Sequence, residues 1–198
     1  MPVRSLILGV AVWLLSFGVT VAVAGSSAPA LPDVTVTDQD GVSHRFYSDL
    51  VKGKTVAINF VFTSCKTSCP AAAALFAGVQ HRLQQTVGRE VTLLSISVDP
   101  TVDRPQQLRT YAAKFGAGPG WKFLTGVPYE FKQLLKALGA DVVDKADHSP
   151  MILIGNDATG EWTRLYGLAS VPQVTAAISS VAGLSAPPSE DTAPTPTF

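Results

Sequence analysis

What this chain has little of narrows its chemistry first. It contains only two cysteines, Cys65 and Cys69, and three histidines, of which only Cys65, Cys69 and His148 stand out as ligands, too few for a four-ligand structural zinc site. Fifteen Lys and Arg residues balance fifteen Asp and Glu residues, with no basic block and no interleaving of aromatic and basic residues. That pattern argues against nucleic acid as a partner. No internal repeat is present, and the core of the chain reads as one unit.

The 198 residues divide by composition. A short basic start, Met1 to Arg4, precedes the almost wholly apolar run Ser5 to Ala24, after which Gly25, Ser26 and Ser27 offer small residues at a cleavage point. Residues 1–24 therefore read as a signal peptide or an N-terminal membrane anchor, since a bilayer span needs ~20 residues. The chain is expected on the extracytoplasmic, periplasmic side, held at the inner membrane by this segment or secreted if it is cut. Residues 25–31 form a linker and 32–184 a domain large enough for a sizeable core. Residues 185–198, dominated by Pro, Ser, Thr and Ala, are expected to be disordered.

Both cysteines lie in Asn59-Phe-Val-Phe-Thr-Ser-Cys65-Lys-Thr-Ser-Cys69-Pro70. An apolar, β-branched run from Val56 to Phe62 reads as a buried strand, and Pro70 with the alanines after it opens a helix. At i,i+4 spacing about the helix start the two sulfurs share one side, close enough for a common ligand or a bond. Helix N-terminal amides favour the thiolate, which attacks disulfides and binds metals. Inert structural cysteines are the competing reading, but a strand-to-helix turn is a poor place for them. Outside the cytoplasm such thiols oxidise unless a reductant or a metal protects them.

The remaining pattern alternates strand and helix. A hairpin over Val34–Thr37 and His44–Tyr47 turns at Asp40-Gly41; strands follow at Val56–Phe62, Val91–Val98 and Trp121–Leu124. Helices are expected at 70–85, from a cap at Asp103 to Phe115, and at Pro128–Leu138. A closing hairpin joins Met151–Ile154 to Trp162–Tyr166, and a last helix covers Val171–Val181. This order is that of an α/β, thioredoxin-like fold: a mixed central sheet flanked by helices, with an N-terminal β-hairpin. In such a sheet the loop carrying His148 faces the start of the first helix, where the imidazole could meet the cysteine pair. Two thiolates and one imidazole are a soft, low-coordinate set suited to Cu(I), and the nitrogen helps retain Cu(II). His44, on the edge hairpin, and His81, within a helix, read as surface or packing residues.

Phe62-Thr63-Ser64-Cys65-x-x-x-Cys69-Pro70, Ser97-Val98-Asp99-Pro100, Asp147-His148-Ser149 and Gly160 together resemble the Sco/SenC copper chaperones over about Pro32 to Leu184. The resemblance implies a membrane-anchored or secreted thioredoxin-like protein that binds one copper and assists copper-site assembly in cytochrome c oxidase. By position it implies Cys65, Cys69 and His148 as ligands, with Asp99 at an acidic motif position that serves equally well as a turn residue. The implied partners are the copper-accepting oxidase subunit and a thiol reductant. Lys66-Thr67-Ser68 departs from the proline and acidic residue often found between the family's cysteines, which bears on reduction potential and partner choice. A lysine there is expected to favour the thiolate. Pro150 stands where thioredoxin-like folds commonly hold a cis-proline. The alternative function is a thiol-disulfide oxidoreductase in which Cys65 attacks and Cys69 resolves; a peroxidase lacks the fuller signature.

Overall fold

The computed structural model describes residues 29–141, 150–167 and 169–185. Among them are strands β1 (Thr35–Asp38), β2 (Ser43–Arg45), β3 (Thr55–Val61), β4 (Val91–Ser97), β5 (Trp121–Gly126), β6 (Met151–Asn156) and β7 (Glu161–Tyr166). The helices are α1 (Ser68–Arg82), α2 (Pro105–Lys114), α3 (Pro128–Leu138) and α4 (Val171–Ala182). All seven strands join one sheet in the order β2-β1-β5-β4-β3-β6-β7. The three central strands β5, β4 and β3 run parallel, and β1, β6 and the outer strands pair antiparallel. This is the expected mixed thioredoxin-like sheet with its N-terminal hairpin.

Strand β3 shows why the sequence makes this choice. Every one of its seven residues is buried, as befits a strand covered on both faces. Because successive side chains alternate, Val56, Ile58 and Phe60 enter one apolar cluster with Phe131, Leu134 and Leu138 of α3. Ala57 and Val61 enter the other, with Phe76 of α1, Leu108 and Tyr111 of α2, and Val174 and Ile178 of α4. A fully buried residue such as Ile58 or Phe76 contributes roughly 1.5–3 kcal/mol by leaving water.

Four expectations need adjustment. The second hairpin strand stops at Arg45, and Phe46–Val51 form a single π-helical turn that buries Phe46, Leu50 and Val51. Tertiary burial of those three side chains overrides the local strand pattern. Helix α1 starts two residues before Pro70, so Cys69 lies inside it, and it stops at Arg82 rather than near Gln85. Asp103 does not cap α2: the cap position is Arg104, which makes no side-chain cap bond, and Pro105 takes the first helical position. The Asp103 carboxylate is committed elsewhere. Among the described residues no helix is long and apolar enough to cross a membrane. Residues 1–28, which include the proposed leader, lie outside those described, as do 186–198 of the tail.

Candidate functional site

Parallel pairing of β3, β4 and β5 brings their C-terminal ends to one edge of the sheet. Cys65 follows β3, Asp99 and Asp103 follow β4, and β6 begins at the same edge because Ile152 pairs antiparallel with Asn59. Parallel pairing thus gathers at one edge the cysteine loop after β3 and the aspartate loop after β4.

The turn after β3 closes when the Cys65 amide donates to the Phe62 carbonyl at 3.1 Å. Thr67, the residue preceding α1, makes no side-chain cap bond to the helix. The Cys65 sulfur takes that role: the Cys69 amide, in the first turn of α1, donates to it at 3.4 Å, and the Thr67 hydroxyl lies 3.6 Å away. A sulfur that receives helix amides is stabilised as an anion.

The two thiols consequently differ. Burial opposes the Cys65 thiolate, but hydrogen bonds from the Cys69 thiol, the Thr67 hydroxyl and the amides of both residues outweigh it and lower its pKa from 9.0 to about 7. Lys66, which the sequence offered as the cause, is exposed to solvent and is not what lowers it. Cys69 moves the other way. Burial, the bond to Cys65 and the charges of Cys65 and Asp103 push it up to about 12 against a backbone hydrogen bond from Phe62. Cys65 is 9% exposed and Cys69 3%, so the more acidic thiol is also the one nearer solvent. Both are free thiols.

Asp103 is a residue whose role the sequence did not disclose. Fully buried, its carboxylate accepts from the Thr63 amide at 3.1 and 3.3 Å, the Thr63 hydroxyl at 2.6 Å and the Ser97 hydroxyl at 2.6 Å. It therefore ties the cysteine loop to the end of β4. Asp99 donates its amide to the Ser97 hydroxyl at 3.0 Å, and its carboxylate accepts from Thr101 at 2.8 Å, which is turn chemistry. Asn59 supports α1 from beneath: its side-chain amide donates to the Ala72 carbonyl at 3.3 Å while its oxygen accepts from Ser95 at 2.6 Å. Ser95 in turn accepts from the Trp121 indole at 2.8 Å. The alternating Ser95 and Ser97 of β4 were the visible signal, since polar residues in a buried strand need partners.

The structure brings Cys65 and Cys69 together and leaves two histidines away from them. His44 bonds the buried Asp38 carboxylate at 2.9 Å, and His81 is exposed on α1; both are the packing and surface residues expected. His148 lies outside the described residues, as do Asp147 and Ser149, one partner of the Pro150 peptide bond. Among the described residues no group of three His, Cys, Asp or Glu side chains is gathered to hold a metal. Two soft thiols, both largely buried, are two of the three donors in the copper set read from the sequence.

Comparison with known proteins follows the same lines. A family model described as SCO1/SenC matches residues 26–182. The chain is 37% identical over 93 residues to the SCO1 protein homolog of Bacillus subtilis, covering 46% of this chain and 47% of that protein. It is 32% identical over 114 residues to a candidate copper-binding protein of Stutzerimonas stutzeri, covering 58% and 54%. These matches thus span about half the length of the curated relatives. Among solved structures, BsSco superposes with a TM-score of 0.66 at 27% identity, covering 81% of this chain and 97% of that one. BsSco is described as a member of the Sco family of cytochrome c oxidase assembly proteins in which a disulfide switch has been identified.

Proposed function

Because this chain belongs to the SCO1/SenC family, we propose that it is a copper-binding metallochaperone that assists copper-site assembly in cytochrome c oxidase. The observation that carries the reading is the opposed pair of thiols at the start of α1. Cys65, near 7, is ready as a thiolate to engage a soft cation, and Cys69, near 12, gives up its proton only when a metal or a bond takes its place. His148 supplies the third donor, a neutral imidazole nitrogen. Copper is the cargo, one per chain.

Oxidised, the same sulfurs form a Cys65–Cys69 disulfide that refuses the metal, and a thiol reductant restores the dithiol. Copper moves on by ligand exchange to the cysteines of an accepting oxidase subunit. The protein works on the periplasmic side, held at the membrane through residues 1–24 or released from it. Residues 32–184 are the working unit.

A second reading is favoured by the same asymmetry. A more acidic Cys65, slightly nearer solvent, beside a more deeply buried, basic Cys69 is the arrangement of an attacking and a resolving thiol, so the protein could reduce cysteines of a copper-site subunit. Anaerobic Cu(I) titration of the reduced chain against a competing chelator separates the two. One tightly held copper per chain, weakened by Cys65→Ala, Cys69→Ala and His148→Ala, supports the chaperone. No tight copper in the reduced wild type refutes it and leaves the oxidoreductase.

A further inference from the structure

Helix α2 presents a stripe of polar side chains that neither reading uses. Gln106, Gln107, Thr110, Tyr111 and Lys114 line a groove whose other wall includes Thr63, two residues before Cys65. At ~100° of turn per residue these five positions share one side of the helix. Arg109 lies outside that arc and is spent on the Gln39 carbonyl at 3.1 Å and the Asp40 carboxylate at 3.5 Å. Lys114 is therefore the one charged group lining the groove.

The groove holds about 340 Å³. Clefts of that size for small ligands are mostly apolar, whereas every side chain here carries a hydrogen-bonding group. Most of these groups are uncommitted. Among the described residues the Gln106 and Gln107 carboxamides and the Lys114 ammonium have no partner, and all three side chains are exposed. The Thr110 hydroxyl donates to the Gln106 carbonyl at 3.0 Å and keeps its lone pairs. Tyr111, in the same wall, is only 4% exposed, and its hydroxyl is buried with no partner. A buried polar group left unpaired calls for a partner that the free protein lacks.

The lining says what kind of chain would fit. A carboxamide offers a donor and an acceptor, the same pair that a peptide bond presents. Two of them in succession suit a peptide backbone whatever its side chains, and a lone ammonium selects a carboxylate. From Gln106 to Lys114 the helix rises ~12 Å, which about four residues of extended chain would span. Because α2 follows β4, it starts at the edge that carries the cysteines, and Lys114 stands at the far end. We propose that this groove receives an extended segment of the partner whose cysteine meets Cys65, with its backbone on Gln106 and Gln107 and an acidic group about five residues from that cysteine on Lys114. The inference deepens the function proposed above and rests on its premise that Cys65 meets a partner's cysteine.

Fluorescence anisotropy of labelled Gly/Ser peptides with the full chain tests it. Each peptide has serine in place of the cysteine, so that no covalent bond forms, and carries Glu, or else Lys, about five positions to either side. The wild type should prefer the Glu peptide. Lys114→Glu should bind that peptide about fivefold more weakly and take the Lys peptide in its stead. Gln107→Ala should weaken both peptides about fivefold, as the loss of one hydrogen bond would. Both side chains are exposed, so the thermal midpoints should hold. Equal binding of the two peptides by wild type and Lys114→Glu overturns the proposal, as does no binding by the wild type at millimolar peptide. Self-association of the wild type that Lys114→Glu abolishes also overturns it and gives the groove to a second copy. A wild type that holds no Cu(I) brings down the chaperone reading alone; the peptides carry neither thiol nor metal, so the charge swap still decides for or against the groove.

Discussion

Replacing Asp103 by asparagine should move stability and thiol chemistry in opposite directions. The carboxylate is fully buried and offers two oxygens to two hydroxyls at 2.6 Å and to the Thr63 amide. An asparagine offers one oxygen and one NH2 group, so either the Thr63 or the Ser97 hydroxyl must stop donating and turn to accept. The loss is one charge-assisted hydrogen bond and a weakening of the others, about 2–3 kcal/mol. At about 2–4 °C per kcal/mol for a domain near 150 residues, the thermal midpoint should fall by about 4–12 °C. The charge beside the dithiol disappears at the same time. Since it contributes to holding Cys69 up at about 12, the Cys69 thiol should ionise at lower pH in Asp103→Asn. Thermal denaturation and the thiolate absorbance titration of the reduced protein read the two effects separately. An unchanged midpoint, or a Cys69 titration that moves upward, would refute the account of Asp103 as both tie and charge.

Alkylation of the reduced chain should begin at Cys65 and rise through a midpoint near pH 7. A thiol lowered from 9.0 to about 7 is about one-tenth ionised at pH 6, against about one-thousandth without the shift. A rate that climbs only above pH 8, or labelling that begins at Cys69, contradicts the assignment. On the far side of β3, Gly155 of β6 pairs across from Trp162, and a methyl group added there would lie 2.2 Å from the indole ring. Gly155→Ala should destabilise by about 1–3 kcal/mol through overpacking, seen as a lower urea midpoint at an unchanged slope. Wild-type stability would mean that the ring swings aside freely.

The strands and helices with strong periodicity were legible in the sequence. Pro128 and Gly139 bracket α3, and Val56 to Phe62 could only be a buried strand; in both places local propensity and tertiary burial agree. The π-helical turn at Phe46–Val51 was not legible, because its buried residues fit a short amphipathic turn as well as a strand end. Asp103 was misread for a physical reason. An aspartate two residues before a proline-led helix is a good cap by local rules, and only the arrival of Thr63, 40 residues earlier, shows where its carboxylate goes. The cysteine pair was legible because C-x-x-x-C at a strand-to-helix junction fixes its own geometry. That Cys65 is the more exposed, attacking member was read from its place in the turn; how far the two thiols part was not, since that arises from hydrogen bonds and burial contributed by other parts of the fold.

The file of hydrogen bonds from Trp121 through Ser95 and Asn59 to the Ala72 carbonyl also bears on how the protein avoids assembling itself wrongly. Asn59 and Ser95 face one another across the β3–β4 pair, and every donor in the file points the same way. Sliding β4 by one residue would turn Ser95 to the opposite face and set Leu94 or Ile96 against Asn59. Indole, hydroxyl and amide would then sit unsatisfied in hydrocarbon, at about 1–3 kcal/mol each. Greasy parallel strands discriminate poorly between neighbouring alignments, because one valine or leucine fits much like the next. Three polar atoms placed among them give the folding chain a proofreading step, so that only the correct alignment, the one that seats the first turn of α1, survives.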